Sequence, residues 1–501
     1  MSSLNRTTHK TNTYPERVLQ FGTGVLLRGL PDFYIDKANK QGIFEGSIVI
    51  VKSTDGTTDG FAAQDNLYTV AVRGMQQGQP VEELTTVTAV SRVLSAQSSW
   101  SDILRLAKSP SLQVIISNTT EVGLTYLEES IFENPPRSFP GKLTAFLYER
   151  FKDVGGSRNR GLIVIPTELV IDNGLKLREM VEKLARYNEL GKLFTKWLKF
   201  HIRFCNSLVD RIVPGLPDDE TRQLLAEKLG YEDKLLTVAE PYNLWAIEGD
   251  DRVRQTLSFA EVNPGIIIDE DITFYRERKL RVLNGTHSFT VPTSYLLGNE
   301  TVYENTQNPL SSRFIERLML DEIVPTVPPG LTEGTDTAAV RSFALDVLER
   351  FRNPFIEHLL LNITVHQTAK MQARNVATIQ RYYQRFNAVP PLMATGFAGY
   401  LLFMKPTAKT DLGYVAEISV GGGILTYPLS DDNAAGFQER WQGITVTDAE
   451  SVQQFVNIVL ADTELWQADL VALPGFAEAV GKTLYQMLTN GVEATLNQVL
   501  S

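Results

Sequence analysis

Along the first half of the chain, short apolar runs alternate with longer stretches in which apolar residues recur every three or four positions. Arg17 to Phe21 has the pattern of a short strand, Ser47 to Lys52 reads SIVIVK, and Leu112 to Ile116 and Leu162 to Ile165 are further apolar runs. Apolar runs of roughly four to eight residues bounded by polar ones suit strands covered on both faces. Helical spacing fills the intervals. A helix is expected after the first strand, with Pro31 near its first turn and its end by Gly42, and others around Asp102 to Ala107 and Lys142 to Phe151. Such alternation predicts an α/β fold with a doubly wound parallel sheet. Beyond about Glu270 the pattern becomes long and amphipathic, broken by a loop at Thr326 to Thr337 and a hairpin at Tyr414 to Leu429 around Gly421-Gly422-Gly423. Two domains are expected, an α/β one over residues 14–270 and a mostly α-helical one over residues 271–501.

The turn after the first strand reads Gly22-Thr23-Gly24. In a dinucleotide fold the first glycine permits the tight turn, and the second lets backbone approach a pyrophosphate at a helix N-terminus. Leu27 stands where the third glycine of that motif belongs, followed by Arg28, a candidate for phosphate or substrate contact. The second strand ends Lys52-Ser53-Thr54, with Asp55 the nearest acid. An acid here selects a ribose hydroxyl and a lysine suits a 2′-phosphate, so these residues alone leave NAD and NADP both open.

Composition narrows the ligands. The 501 residues are 43% hydrophobic and 21% charged, with a net charge of −11 and no basic block, which argues against nucleic acid and for small metabolites. A single cysteine, Cys205, and five histidines without HExxH-type spacing give no expectation of a metal site. The first thirteen residues are polar and read as a loose tail rather than a signal peptide. The longest apolar run, Met393 to Met404, is too short to span a bilayer, so a cytoplasmic protein without membrane contact is expected.

Proton chemistry is suggested by Lys279, Asn284 and His287 at the spacing K-x4-N-x2-H. In a continuous α-helix the lysine and histidine would stand about 80° apart. A base and two hydrogen-bond donors suit carbonyl–alcohol interconversion. Only roughly 0.1% of an ordinary lysine is neutral near pH 7.5, so burial or neighbours such as Arg276, Arg278 and Arg281 must tune it. The alternative is a basic surface helix, RERKLR. A second constellation places His358, Asn362, His366, Lys370 and Arg374 every fourth residue among apolar neighbours, as expected of one buried helix lining a pocket or of a solvent-facing stripe.

With these stand Gln20-Phe21-Gly22-Thr23-Gly24, Gln64-Asp65-Asn66-Leu67-Tyr68-Thr69, Ser117-Asn118-Thr119-Thr120-Glu121, Val209-Asp210-Arg211-Ile212-Val213 and Arg350-Phe351-Arg352-Asn353-Pro354-Phe355. Over nearly its whole length the chain resembles the zinc-independent, long-chain polyol dehydrogenases typified by mannitol dehydrogenase. The resemblance implies a Rossmann-like domain and a helical substrate domain, NAD as cofactor and no metal. It makes Lys279 the general base, Asn284 the oxyanion donor and His287 the residue that orients substrate. Phe21, Gly22, Thr23, Gly24, Lys52, Asp65, Thr119 and Glu121 fall to the cofactor, and Arg28, Asn173, Asp210 and Lys370 to the substrate. One departure concerns the segment after Ile165: many members read S-C-D-N-x-P-x-N-G, and this chain reads Pro166-Thr167-Glu168-Leu169-Val170-Ile171-Asp172-Asn173-Gly174. Leu169 thus replaces an asparagine beside the reacting carbonyl, and Asn173 or a backbone amide is expected to supply the second donor. The implied reaction interconverts tagaturonate and altronate. Fructuronate or a neutral polyol such as mannitol is the alternative substrate, and a nicotinamide-binding sensor the non-enzymatic alternative. Lys370, Arg374 and Arg28 are candidates to clamp the sugar acid's carboxylate, and a monomer or weak homo-oligomer is expected.

Overall fold

Six short runs build the main sheet: β1 (Glu16–Phe21), β2 (Ser47–Lys52), β3 (Val90–Ser95), β4 (Val114–Ser117), β5 (Ile163–Pro166) and β6 (Arg203–Phe204). Every neighbouring pair is parallel, in the spatial order β3-β2-β1-β4-β5-β6. Side chains alternate between two cores. Val18, Ile48, Ile50, Val114, Ile116, Ile163 and Ile165 pack on one face with Leu27, Leu30, Phe33 and Ile35. Leu19, Phe21, Val49, Val51, Ile115 and Val164 pack on the other with Ile103, Phe146, Leu177 and Trp197. Both faces are covered, which is why these strands read as unbroken apolar runs rather than alternating ones. The doubly wound sheet expected from sequence is therefore present.

This computed structural model describes residues 2–7, 9–54, 56–119, 123–155, 160–331, 335–420 and 423–501. It comprises two compact units, Met1–Ile272 and Thr273–Ser501. In the first, the helical run after β1 begins at Val25 and continues to Lys40 through a π segment, Arg28–Asp32. Pro31 lies in that π segment and not in the first turn, because the widened register absorbs the hydrogen bond proline cannot donate. Two smaller sheets were not visible in the sequence. One pairs Tyr68–Gln76 with Gln79–Val87 across a tight turn and adds Thr237–Ala239, and the other joins Ser207–Asp210, Leu244–Glu248 and Ile266–Asp269.

Within the expected loose tail, residues 2–6 are held in place. Ser2–Ser3 pairs with Tyr231–Glu232, Leu4 is fully buried, and the Arg6 guanidinium donates to the carbonyls of Asp65, Thr88 and Val90. A signal carried by one buried leucine and one arginine has no periodicity to reveal it.

The second unit is helix-rich. Pro391–Phe403 is buried along almost its whole length, and Phe397 meets Trp466 at 5.1 Å and Phe476 at 5.9 Å between ring centroids. A Cβ on Gly396 would stand 2.7 Å from the Phe289 carbonyl, so glycine lets the helix Thr286–Tyr295 lie close against it. Among the described residues no helix is long and apolar enough to cross a membrane. Ala408–Thr410, Gly413–Val420 and Gly423–Leu429 form an antiparallel sheet that contains the expected hairpin, with Gly421 and Gly422 outside the described residues.

Candidate active site

In the first unit, sheet order reverses between β1 and β4, and ligands of open α/β sheets lie beyond the strand ends at such a point. Phe21 ends β1, fully buried and packed on Phe139. Gly22 then adopts φ 125°, donates its N–H to Val51 O at 2.9 Å, and would bring a Cβ within 2.8 Å of Asn118 O. Only glycine fits there. Thr23 is partly buried, and Gly24 caps the helix in an extended conformation without a side-chain cap and with open space where a Cβ would project. A helix start without a side-chain cap, reached through a glycine with room beside it, fits a pyrophosphate. Leu27, at the third-glycine position, is a fully buried core residue.

The ends of β4 and β5 are fastened together. The carboxylate of Glu168, almost fully buried, accepts from Thr119 N and Oγ1, both at 2.9 Å, and from Ser117 Oγ at 3.2 Å. Burial pushes its pKa up, against those hydrogen bonds. Sequence reading passed over Glu168 as a site residue, yet it fixes Thr119. Its neighbour Leu169 is 62% exposed.

Several expected contacts take other partners. Asn173 is fully buried; its amide donates to Pro166 O, Glu168 O and Ser207 O, each at 3.0 Å, and its oxygen accepts from Gly174 N and Ser207 N. With both amide hydrogens spent on these carbonyls, Asn173 has none for a substrate oxygen, and of the two expected sources of a second donor the backbone amide is left open. Arg28 turns into its own unit, donating to Leu235 O at 2.6 Å beside Tyr68 and Asp32. Asp65 accepts from Arg6 N at 2.9 Å. Lys52 reaches Thr54 Oγ1 at 3.3 Å, and Asp210 lies buried at a strand end opposite Leu244. Glu121, like Asp55, lies outside the described residues.

In the second unit, Lys279–Gly285 is a π-helix and Thr286–Tyr295 continues as an α-helix. That changes the expected geometry. In a π-helix residues i and i+5 are one turn apart, so Lys279 and Asn284 stand one above the other, where an α-helix would turn them well away from each other. His287 follows at i+3 from Asn284, a same-face spacing. Arg281 donates to Arg374 O at 2.6 Å and Ala373 O at 3.1 Å, bolting this segment to a second π segment, Gln372–Val376. Arg281 also pairs with Glu277, so it is not a bare cation beside Lys279. The backbone carbonyl of Asn284 accepts from Ser288 Oγ and Arg374 Nη1, but its side-chain amide makes no hydrogen bond among the described residues. That amide is available.

His287 stacks on Phe351 at 4.3 Å and meets His358 edge-on at 5.9 Å. Burial, then the positive fields of His358, Arg374, Arg350 and Lys370, hold it well below its ordinary pKa. The neutral ring is favoured. Phe351 and Arg350 belong to the R-F-R-N-P-F motif, which sequence reading quoted without giving it a role.

The expected continuous helix from Pro354 to Arg374 is broken. His358 precedes the short helix Leu360–Ile363, and His366 sits at φ 53°, before Gln367–Met371. The every-fourth-residue stripe therefore does not share one face. His366 is largely exposed, 3.2 Å from Asp432, whereas Lys370 donates to Ile363 O at 2.8 Å. Burial, then Arg374, lowers the Lys370 pKa to about 8.

A parallel sheet whose order reverses at a glycine turn places the first unit in the dinucleotide-binding fold class. Family models for the mannitol dehydrogenase Rossmann domain and the mannitol dehydrogenase C-terminal domain match residues 16–260 and 271–488. The chain belongs to the mannitol dehydrogenase family. It is similar to altronate oxidoreductase of Halalkalibacterium halodurans, 37% identical over 100% of this chain and 96% of the relative. Against altronate oxidoreductase of Bacillus subtilis identity is 36% over 99% and 98%. Among solved structures, Pseudomonas fluorescens mannitol 2-dehydrogenase, in a ternary complex with NAD and D-mannitol, matches with a TM-score of 0.68 at 21% identity over 99% of each chain. A substrate-free D-sorbitol dehydrogenase matches with a TM-score of 0.76 at 20% identity, covering 99% of this chain and 100% of that one. These two likenesses establish a shared fold.

Proposed function

We propose that this protein is an NAD-dependent oxidoreductase that interconverts D-tagaturonate and D-altronate, with Lys279 as the general acid and base. The observation that carries this reading is the π segment Lys279–Gly285, a register that favours Lys279 and Asn284 on one face, together with an Asn284 amide that makes no hydrogen bond among the described residues. Full-length similarity to proteins named altronate oxidoreductase supports the choice of substrate.

The N-terminal turn Gly22-Thr23-Gly24 fits the cofactor pyrophosphate. When bound, NAD accepts or supplies the hydride at the substrate carbon. In the reductive direction Lys279 donates its ammonium proton to the oxygen that becomes the hydroxyl, and in the oxidative direction the neutral amine takes that proton back. Asn284 donates a hydrogen bond to the same oxygen as charge develops on it, an interaction worth on the order of 10²–10³ in rate. His287, kept neutral, orients an adjacent hydroxyl. Asn173 spends its amide within the first unit, whereas the Asn284 amide is uncommitted, which supports Asn284 as an asparagine donor.

Oxidation of NADH and NADPH against tagaturonate, fructuronate and fructose tests this reading. Turnover with NADH should be fastest on tagaturonate. A preference for fructuronate or fructose would move the substrate within the family, and no turnover with any ketouronate would favour a nicotinamide-binding sensor.

A further inference from the structure

A half-buried arginine ordinarily has a carboxylate partner, because an unpaired charge away from water is costly. Arg374 has none among the described residues. Both of its protein hydrogen bonds leave from Nη1, to Ser288 Oγ at 3.1 Å and Asn284 O at 3.4 Å. The Nε and Nη2 donors are left without a protein acceptor, and neither is a sealed, unpartnered atom, so both are open to a ligand. Nothing acidic offsets the burial that lowers the Arg374 pKa to about 10. Lys370 lies close enough for the two charges to repel, with Asp431 as the acid that acts on it. Arg350 adds to the same positive field around His287.

We infer that Arg374, with Lys370 beside it, forms a subsite for the carboxylate of a sugar acid, next to the Asn284 and His287 that serve its reacting end. The inference rests on the sugar-acid reading above. A neutral polyol has no group that calls for this charge; a carboxylate takes two parallel N–H bonds from a guanidinium whose second edge is free. Arg28, the other arginine considered from sequence, donates from Nη1 to Leu235 O within the first unit.

The test uses the full-length protein. Calorimetric titration with D-altronate and with the uncharged altritol is run on wild type, Arg374→Met and Arg374→Lys, beside KM for tagaturonate and fructose. Arg374→Met should raise the altronate Kd and the tagaturonate KM by about 10- to 100-fold, and change altritol and fructose by less than about threefold. Arg374→Lys, which keeps the charge and loses the fork, should recover part of the altronate affinity and serves if the methionine variant does not fold. Equal losses for altronate and altritol, or no loss for altronate, would overturn the subsite. Wild type that prefers altronate over altritol through Arg374 yet does not reduce tagaturonate would keep the subsite and sink the proposed reaction. Reduction of tagaturonate with a KM indifferent to position 374 would do the reverse.

Discussion

Replacing Asn173 by alanine separates a structural amide from a substrate donor. The side chain joins three stretches of chain: its amide serves carbonyls at Pro166, Glu168 and Ser207, and its oxygen holds the N–H groups of Gly174 and Ser207. Truncation removes five hydrogen bonds: Pro166 O keeps Ser207 Oγ and Glu168 O keeps Val170 N, so Ser207 O, Ser207 N and Gly174 N are the three groups that lose their partner. A net hydrogen bond is worth about 1 kcal/mol, and a group left unsatisfied costs about 1–3 kcal/mol. Water entering the small cavity recovers part of the sum, so about 3–5 kcal/mol is expected. For a unit of this size that corresponds to a fall in Tm of roughly 6–20 °C. Thermal melts followed by tryptophan fluorescence measure it, and kcat is then determined well below the variant's Tm, where the fold is intact. The structure predicts a large drop in Tm with kcat within about threefold of wild type. An unchanged Tm with a kcat lower by about 10²–10³, the signature of a lost oxyanion donor, would refute the reasoning.

Glu322 is buried with its carboxyl at the backbone N–H groups of Leu392 and Met393, and burial raises its pKa from 4.5 to about 7. The folded state keeps a proton that the unfolded chain gives up, so stability falls as pH rises from about 4.5 through about 7, by on the order of 3 kcal/mol. Urea unfolding across that range should show the decline, and Glu322→Gln should flatten it; an unaltered pH slope in the variant contradicts the assignment. Gly22→Ala puts a methyl against Asn118 O and Leu27 at φ 125°, so the turn must shift, and the KM for NADH should rise at least tenfold; an unchanged KM would remove this turn from the cofactor site. Because Leu169 is 62% exposed, Leu169→Asn should alter stability by less than about 0.5 kcal/mol, measured by the same melts, while a larger loss would mean that the leucine packs.

Where burial is two-sided, the sequence was easy to read. Ser47–Lys52 is a strand over the bounds its apolar run suggests, since every residue but the last is buried. Gln79–Val87 escaped notice because it is largely exposed and polar, although Gln77 and Gly78, both at positive φ, form the sort of turn that closes hairpins. The π segments lay beyond reach, because apolar spacing reports a repeat of about 3.6 residues and not a local extra residue. That limit matters most at Lys279–Gly285, where the K-x4-N spacing was legible but the face it creates was not. The break at His366 was hidden similarly: nothing in a run of apolar residues marks one left-handed position. Asn173 shows the opposite failure. Its residue type suggested a donor, and only the three carbonyls around it show that the donor is spent.

The most direct measurement is the rate of NADH oxidation with D-tagaturonate by Lys279→Ala, with NADH binding followed in parallel by fluorescence. Loss of a positioned general acid should lower kcat by about 10²–10⁴ while the NADH Kd stays within about threefold of wild type. A variant that binds NADH and retains more than a tenth of wild-type turnover would contradict the assignment of Lys279 as the proton donor.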